Sequence, residues 1–155
     1  MLKVQNLYLC YPGQSEPIFQ NLTFELKEGE LLWLTGPNGC GKTSLLNCIS
    51  GIIPQRIKAE FRGDIILNDL DLNPIPINER FRYLAYQMSD PDNQIFFPRV
   101  EKELSFALEN AGLTIKEMKE RIIRATEDFG LQDFWETEPG KLSLGQKKLL
   151  VLAFC

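Results

Sequence analysis

The sequence predicts an α/β fold, and three observations carry that expectation. A short run with apolar residues on both faces, 31–35, is followed at once by a glycine-rich loop and then by a helical pattern. The first half of the chain alternates as strands do. From Val100 onward the period becomes helical.

The elements follow in order. Residues 2–11 alternate loosely and read as a strand, broken by Tyr11-Pro12-Gly13. Residues 18–27 alternate well, with Ile18, Phe19, Leu22, Phe24 and Leu26 apolar, and Glu28-Gly29-Glu30 is a turn. Residues 31–35 read as a strand buried in a parallel sheet, and 43–50 as a helix that Gly51 to Pro54 ends. Residues 61–72 give one or two strands broken at Gly63 and Asn68-Asp69, and 82–86 a further strand. After a loop at 90–98, residues 101–110 and 114–129 are amphipathic helices, with a stop at Ala111-Gly112-Leu113. Pro139-Gly140 is a turn, and a last helix runs over 143–154 with Ser143 as its N-cap.

Composition narrows the function. The chain has 155 residues, 44% of them hydrophobic and 25% charged, with a net charge of −4. That is enough for a real core. The isoelectric point of about 5.0 offers no basic footprint, so no nucleic-acid partner is expected. The longest apolar runs, 31–34 and 149–155, are far short of the ~20 residues a membrane helix needs. No apolar stretch at the N-terminus suggests a secretory signal, and a cytoplasmic location is expected. The four cysteines, Cys10, Cys40, Cys48 and Cys155, have no CxxC spacing and there is no histidine, which argues against a zinc site and for reduced thiols. Without histidine, catalysis would need carboxylates, lysine, a metal or a partner chain.

Gly36-Pro37-Asn38-Gly39-Cys40-Gly41-Lys42-Thr43 fits G-x-x-x-x-G-K-[ST] at every fixed position. The glycines let successive N–H groups converge on one anion at a helix N-terminus. Lys42 is the candidate for the β- and γ-phosphates and for a catalytic role. Thr43 offers its hydroxyl to Mg²⁺, and Ser44 adds a hydrogen bond to the α-phosphate. A chance match is a one-in-tens-of-thousands event per position on composition. The strand-loop-helix context lowers it further. Cys40 sits in the loop as a small spacer, with a redox role the less economical reading.

A phosphate loop alone does not choose among kinases, GTPases and ATPases. Leu142-Ser143-Leu144-Gly145-Gln146 does: it closely resembles the LSGGQ signature of ABC ATPases, with Leu144 in place of the first glycine. The resemblance covers essentially the whole chain. It implies an ATP-binding cassette of the P-loop NTPase class, with an N-terminal antiparallel β portion and a helical insertion. It assigns Ser143, Gly145 and Gln146 to the γ-phosphate of ATP held by the opposite subunit. Tyr11 falls where the family stacks an aromatic ring on adenine. Gln87 resembles the glutamine that contacts Mg²⁺ and the attacking water. The stretch Ser89-Asp90-Pro91-Asp92-Asn93-Gln94-Ile95-Phe96-Phe97-Pro98 resembles the ATPase subunits of cobalt and energy-coupling-factor importers of metals or vitamins.

The expected organisation is a nucleotide-binding core over 1–86, a helical subdomain over 87–141, and the signature with its helix over 142–155. The expected partners are a second ATPase subunit and an integral membrane transport subunit, which would hold the chain at the inner face of the cell membrane. The resemblance also exposes a departure. The family pattern continues into a strand ending in Asp, a catalytic Glu and later a switch His, and none of these is among the 155 residues. That pattern reads as a cassette incomplete at its C-terminus. Two other readings stand beside the transporter: a nucleotide-binding fragment without turnover, and an ABC ATPase of DNA repair or translation.

Overall fold

The structure is a computed structural model that describes residues 1–80, 82–109 and 113–154. It falls into two compact units, Met1–Tyr86 and Gln87–Cys155.

The first unit is built on an antiparallel sheet in the order β2-β1-β3-β4, formed by β1 (Leu2–Cys10), β2 (Phe19–Leu26), β3 (Glu60–Leu67) and β4 (Leu70–Asp71). β1 lies at the centre, with Leu2 opposite Leu26 on one side and Leu67 on the other. Its buried residues Val4, Leu7 and Leu9 are spaced three and then two apart. Strict alternation cannot bury all three, so the strand needs an extra residue. A register shift between Gln5 and Tyr8, with Asn6 at φ 51°, supplies it. The bulge presses on β3 at Gly63, where a Cβ would lie 2.6 Å from the Gln5 carbonyl oxygen. This explains both the loose alternation of β1 and the glycine inside β3.

On this sheet pack α1 (Lys42–Ser50) and the short helical turn α2 (Ile52–Gln55). Leu45, Cys48 and Ile53 join Val4, Leu7, Leu9, Ile65 and Leu72 in one core. Burial pushes the Cys48 thiol up to about 12, so it behaves as a small apolar group. Arg80, on α3 (Ile77–Arg80), is only 3% exposed. Its guanidinium donates to the carbonyls of Ile49 at 2.9 Å and Cys48 at 3.4 Å, at the C-terminal end of α1, where the Cys48 carbonyl also accepts the Gly51 N–H at 3.1 Å. Burial lowers its pKa while Asp71 opposes the shift.

Two predicted strands do not form. Residues 31–35 and 82–86 join no ladder among the described residues. Leu31 is 91% exposed and Trp33 79%. A parallel strand exists only as part of a ladder, and among the described residues the sheet includes neither segment. Arg82 and Tyr83 instead continue the turn after α3, donating to Glu79 and Arg80 carbonyls. The predicted 61–72 region resolves into β3 and β4.

The second unit is helical: α4 (Val100–Glu109), α5 (Ile115–Asp128) and α6 (Leu144–Phe154). Val100, Leu104, Ile122, Leu131, Leu142 and Leu150 form its core. The first N–H groups of α4 donate to the Thr137 and Trp135 carbonyls at 3.1 Å. α5 opens with a capping box between Thr114 and Glu117. The predicted stop at Ala111-Gly112 lies outside the described residues.

Candidate nucleotide site

The loop from Gly36 to Gly41 has the backbone that its glycines predict. Gly36, Gly39 and Gly41 have φ of 147°, 83° and 97°. Gly41 is the N-cap of α1, and no side chain caps that end. No side chain occupies the first N–H groups of α1, an arrangement that suits an anion. Gly41 is also tightly enclosed: a Cβ there would lie 2.5 Å from Ile18 Cγ2 and 3.0 Å from the Phe19 ring. The start of β2 thus packs directly against the loop, so the antiparallel hairpin supports the loop's backbone.

Lys42 curls back over its own loop. Its Nζ donates to the Gly36 and Pro37 carbonyls, both at 2.8 Å, and lies 3.7 Å from Cys40 Sγ. Two N–H bonds to carbonyls and the contact with the thiol hold the loop as a ring around the ammonium group. Thr43 is exposed and Ser44 half-buried. Asn38 and Cys40 are exposed at the rim.

Tyr11 is brought to the same place. It sits in the turn that follows β1, packed against the core, and its hydroxyl lies 2.9 Å from Ser44 Oγ. The sequence proposes both residues for the nucleotide but gives no sign that they touch, because 33 positions separate them.

The remaining candidates belong to the second unit. Gln87 Nε2 donates to the Lys148 carbonyl at 2.9 Å, which ties it to α6. Ser143 and Gln146 form a reciprocal box at the start of that helix. Gln146 N–H donates to Ser143 Oγ at 3.3 Å, and Ser143 N–H donates to Gln146 Oε1 at 2.8 Å. Leu142 is buried and anchors the turn, whereas Gly145 has only Ser143 Oγ, at 3.9 Å, near the place of a Cβ. Lys147 makes an ion pair with Asp92 at 2.6 Å, its side chain 15% exposed.

Sequence reading missed this ion pair and missed Glu103. Glu103 is 3% exposed and accepts the N–H groups of Phe96 at 2.9 Å and Phe97 at 2.7 Å. It pins the Phe96-Phe97 loop to α4. An acidic residue early in an amphipathic helix looks like a solvated position. The signal that could have found it is its place next to Leu104 on the buried side.

Among the described residues no group of three or more His, Cys, Asp or Glu could hold a metal. The donors present near the phosphate loop are neutral hydroxyls. That set fits Mg²⁺ held mainly by nucleotide phosphates, the usual way the ion is bound at such loops.

Comparisons with known proteins bear on the family. The ABC transporter family pattern matches residues 19–155. The energy-coupling factor transporter ATP-binding protein EcfA1 of Streptococcus sanguinis (strain SK36) is 38% identical over 99% of this chain, which spans 54% of that protein. The putative HMP/thiamine import ATP-binding protein YkoD of Bacillus subtilis (strain 168) is 33% identical, and the chain spans 28% of it. Among solved structures, cbiO1 from Clostridium perfringens, part of the ABC transporter complex cbiONQ, superposes with a TM-score of 0.84 at 27% identity, over 99% of this chain and 59% of that one. The ATP-binding cassette MJ0796, solved as a dimer, shares the fold with a TM-score of 0.81 at 21% identity. The chain therefore spans from about a quarter to about half of the curated relatives it matches. A phosphate loop opening α1, a signature turn opening α6 and a family match over residues 19–155 have one common meaning: the chain belongs to the ABC transporter ATP-binding family.

Proposed function

We propose that this chain is the nucleotide-binding part of an ABC importer ATPase of the cobalt and energy-coupling-factor type. It binds Mg-ATP and couples the hydrolysis of ATP to uptake of a metal ion or vitamin. The observation that carries this reading is the uncapped N-terminus of α1 with Lys42 held inside its glycine loop. In this reading the N–H groups of 38–43 hold the β-phosphate. Lys42 leaves the Gly36 and Pro37 carbonyls for the β- and γ-phosphate oxygens, gaining charge-assisted hydrogen bonds. Thr43 is a ligand of Mg²⁺, and Ser44 donates to the α-phosphate. Gln87 would meet the metal and the attacking water. Ser143, Gly145 and Gln146 would bind the γ-phosphate on a second cassette, and Tyr11 would stack on adenine.

The similarity to EcfA1 and cbiO1, together with the Asp90 to Pro98 run, supports the importer type. A second ATPase subunit and an integral membrane subunit complete the machine, with this chain peripheral to the cytoplasmic face. Among the described residues no helix is long and apolar enough to cross a membrane, so attachment would come through that subunit.

The test is a titration of the 155-residue chain with a fluorescent ATP analogue and Mg²⁺ beside Lys42→Ala, while phosphate release is followed. Saturable binding weakened at least about ten-fold by the substitution is expected, since charge-assisted hydrogen bonds of that worth are lost. Any phosphate release should fall with the same substitution, because Lys42 is the group proposed for the β- and γ-phosphates. Equal binding by both proteins would refute the assignment of the loop.

A further inference from the structure

We infer that the Tyr11 hydroxyl is a positioning group for the phosphates: it donates to Ser44 Oγ and thereby aims the Ser44 proton at the nucleotide. This rests on the nucleotide reading above. Its basis is the 2.9 Å contact between two half-buried hydroxyls 33 residues apart.

Three features of the surroundings make the contact a built one. The Tyr11 backbone is fixed: its carbonyl accepts from Gln14 N–H at 3.1 Å, and the next loop residue to pair, Ile18, donates to Leu9 at 2.7 Å. The ring packs against the hydrophobic core rather than lying free. The same hairpin touches the loop again at Gly41, through Ile18 and Phe19. Tyr11 therefore has a defined position, and Ser44 is fixed by its place in the first turn of α1.

A hydroxyl has one proton and two lone pairs. In a helix, a serine proton ordinarily turns back to a carbonyl one turn earlier. A donor arriving at Oγ takes up one lone pair and polarises the O–H, which strengthens the bond that O–H donates. With Tyr11 as donor, the Ser44 proton is the one left for an acceptor beyond the helix. A phosphate oxygen at the head of α1 is the acceptor that the loop is shaped to receive. Tyr11 thus acts on the phosphates through Ser44, separately from any stacking of its ring on a base.

The experiment compares ATP with inorganic tripolyphosphate, which has no base, on wild type, Tyr11→Phe, Tyr11→Ala, Ser44→Ala and Tyr11→Phe/Ser44→Ala. Tyr11→Phe keeps the ring and removes only the hydroxyl. It is expected to weaken both ligands about five-fold, the worth of one net hydrogen bond. Tyr11→Ala should weaken tripolyphosphate no further than Tyr11→Phe does, while losing more for ATP. In the double variant the Tyr11→Phe loss should vanish, because the hydroxyl has no Ser44 to act on. Unchanged ATP or tripolyphosphate binding in Tyr11→Phe overturns the inference. So do Tyr11→Phe and Ser44→Ala losses that multiply, which is also how general damage to the fold would show itself. Failure of the wild type to bind either ligand any better than Lys42→Ala would bring down the nucleotide reading itself, and this inference with it.

Discussion

The two helices that open on the proposed site residues begin in opposite ways. α1 begins with Gly41 in a left-handed conformation and no side chain on its first N–H groups. α6 begins with Ser143 and Gln146 bonded reciprocally to each other's N–H groups. Both are positive ends of helix dipoles. Only the first leaves its donors open, and it alone has a lysine folded over the approach. The difference teaches that a helix terminus its own sequence leaves uncapped keeps its N–H groups available to an anion. A self-capped terminus is stable by itself, and a phosphate arriving there must share or displace the cap. That is consistent with a primary site on α1 and a secondary contact on α6, the order that the family resemblance implies.

The comparison breaks most completely at Gly41. Gly41→Ala puts a methyl group 2.5 Å from Ile18 Cγ2 at a φ of 97° that L residues avoid. The backbone strain alone costs roughly 1–3 kcal/mol, and the clash with the hairpin adds to it. The expected outcome is a loop that no longer converges on phosphate, with ATP-analogue binding lost and the thermal midpoint lowered. Fluorescence titration and a melt on one sample check both. Full binding by Gly41→Ala would mean that the loop can open without its glycine. A substitution at Gly145, where nothing crowds the site of a Cβ, carries no such strain.

A smaller effect sharpens the contrast from the other side. Ser143→Ala removes the acceptor from Gln146 N–H and breaks the box at α6. N-cap losses of this kind cost about 1 kcal/mol. Amide exchange in the first turn of α6 should accelerate by about five-fold, with exchange in α1 unchanged because no side-chain cap exists there to lose. Faster exchange spread evenly over both helices would contradict the local character of the cap.

How far this was legible depends on whether the cause is local. The phosphate loop, the signature turn and the N-cap Ser143 are written in consecutive residues, and their local structure follows from glycine freedom and capping chemistry. The apolar run at 31–35 predicts a buried strand. Strand formation there depends on a neighbour, which no local pattern supplies. The spacing of Val4, Leu7 and Leu9 concealed a bulge for the same reason: the extra residue is set by the partner strands. Arg80, Glu103 and the Asp92–Lys147 pair are invisible in sequence, because a charged residue reads as solvated until its carbonyls, N–H groups or counter-charge are folded around it. Tyr11 and Ser44 could each be placed by motif. Their contact arises only when the hairpin lies against the loop.

The smallest expected effect separates two caps of the same design. α5 carries the box Thr114–Glu117, and α6 the box Ser143–Gln146. Glutamate titrates and glutamine does not. The side-chain hydrogen bond from Thr114 and then its backbone N–H hold the Glu117 carboxyl below its ordinary pKa, opposed by desolvation and helped least by the Arg121 charge. The sign follows from linkage. A folded-state pKa lower than the unfolded one means that the carboxylate stabilises the cap at pH above the unfolded value. That contribution is lost as pH falls through the lower folded value. Glu117 is fully exposed to solvent, so the effect is small and screened by salt. Amide exchange followed from neutral to acidic pH, corrected for the intrinsic rate, should show α5 fraying at its first turn while the first turn of α6 holds. Glu117→Gln should make the two helices respond alike. If α6 frays in step with α5 as the pH falls, the acid response belongs to the whole unit, and the two boxes are not independent caps.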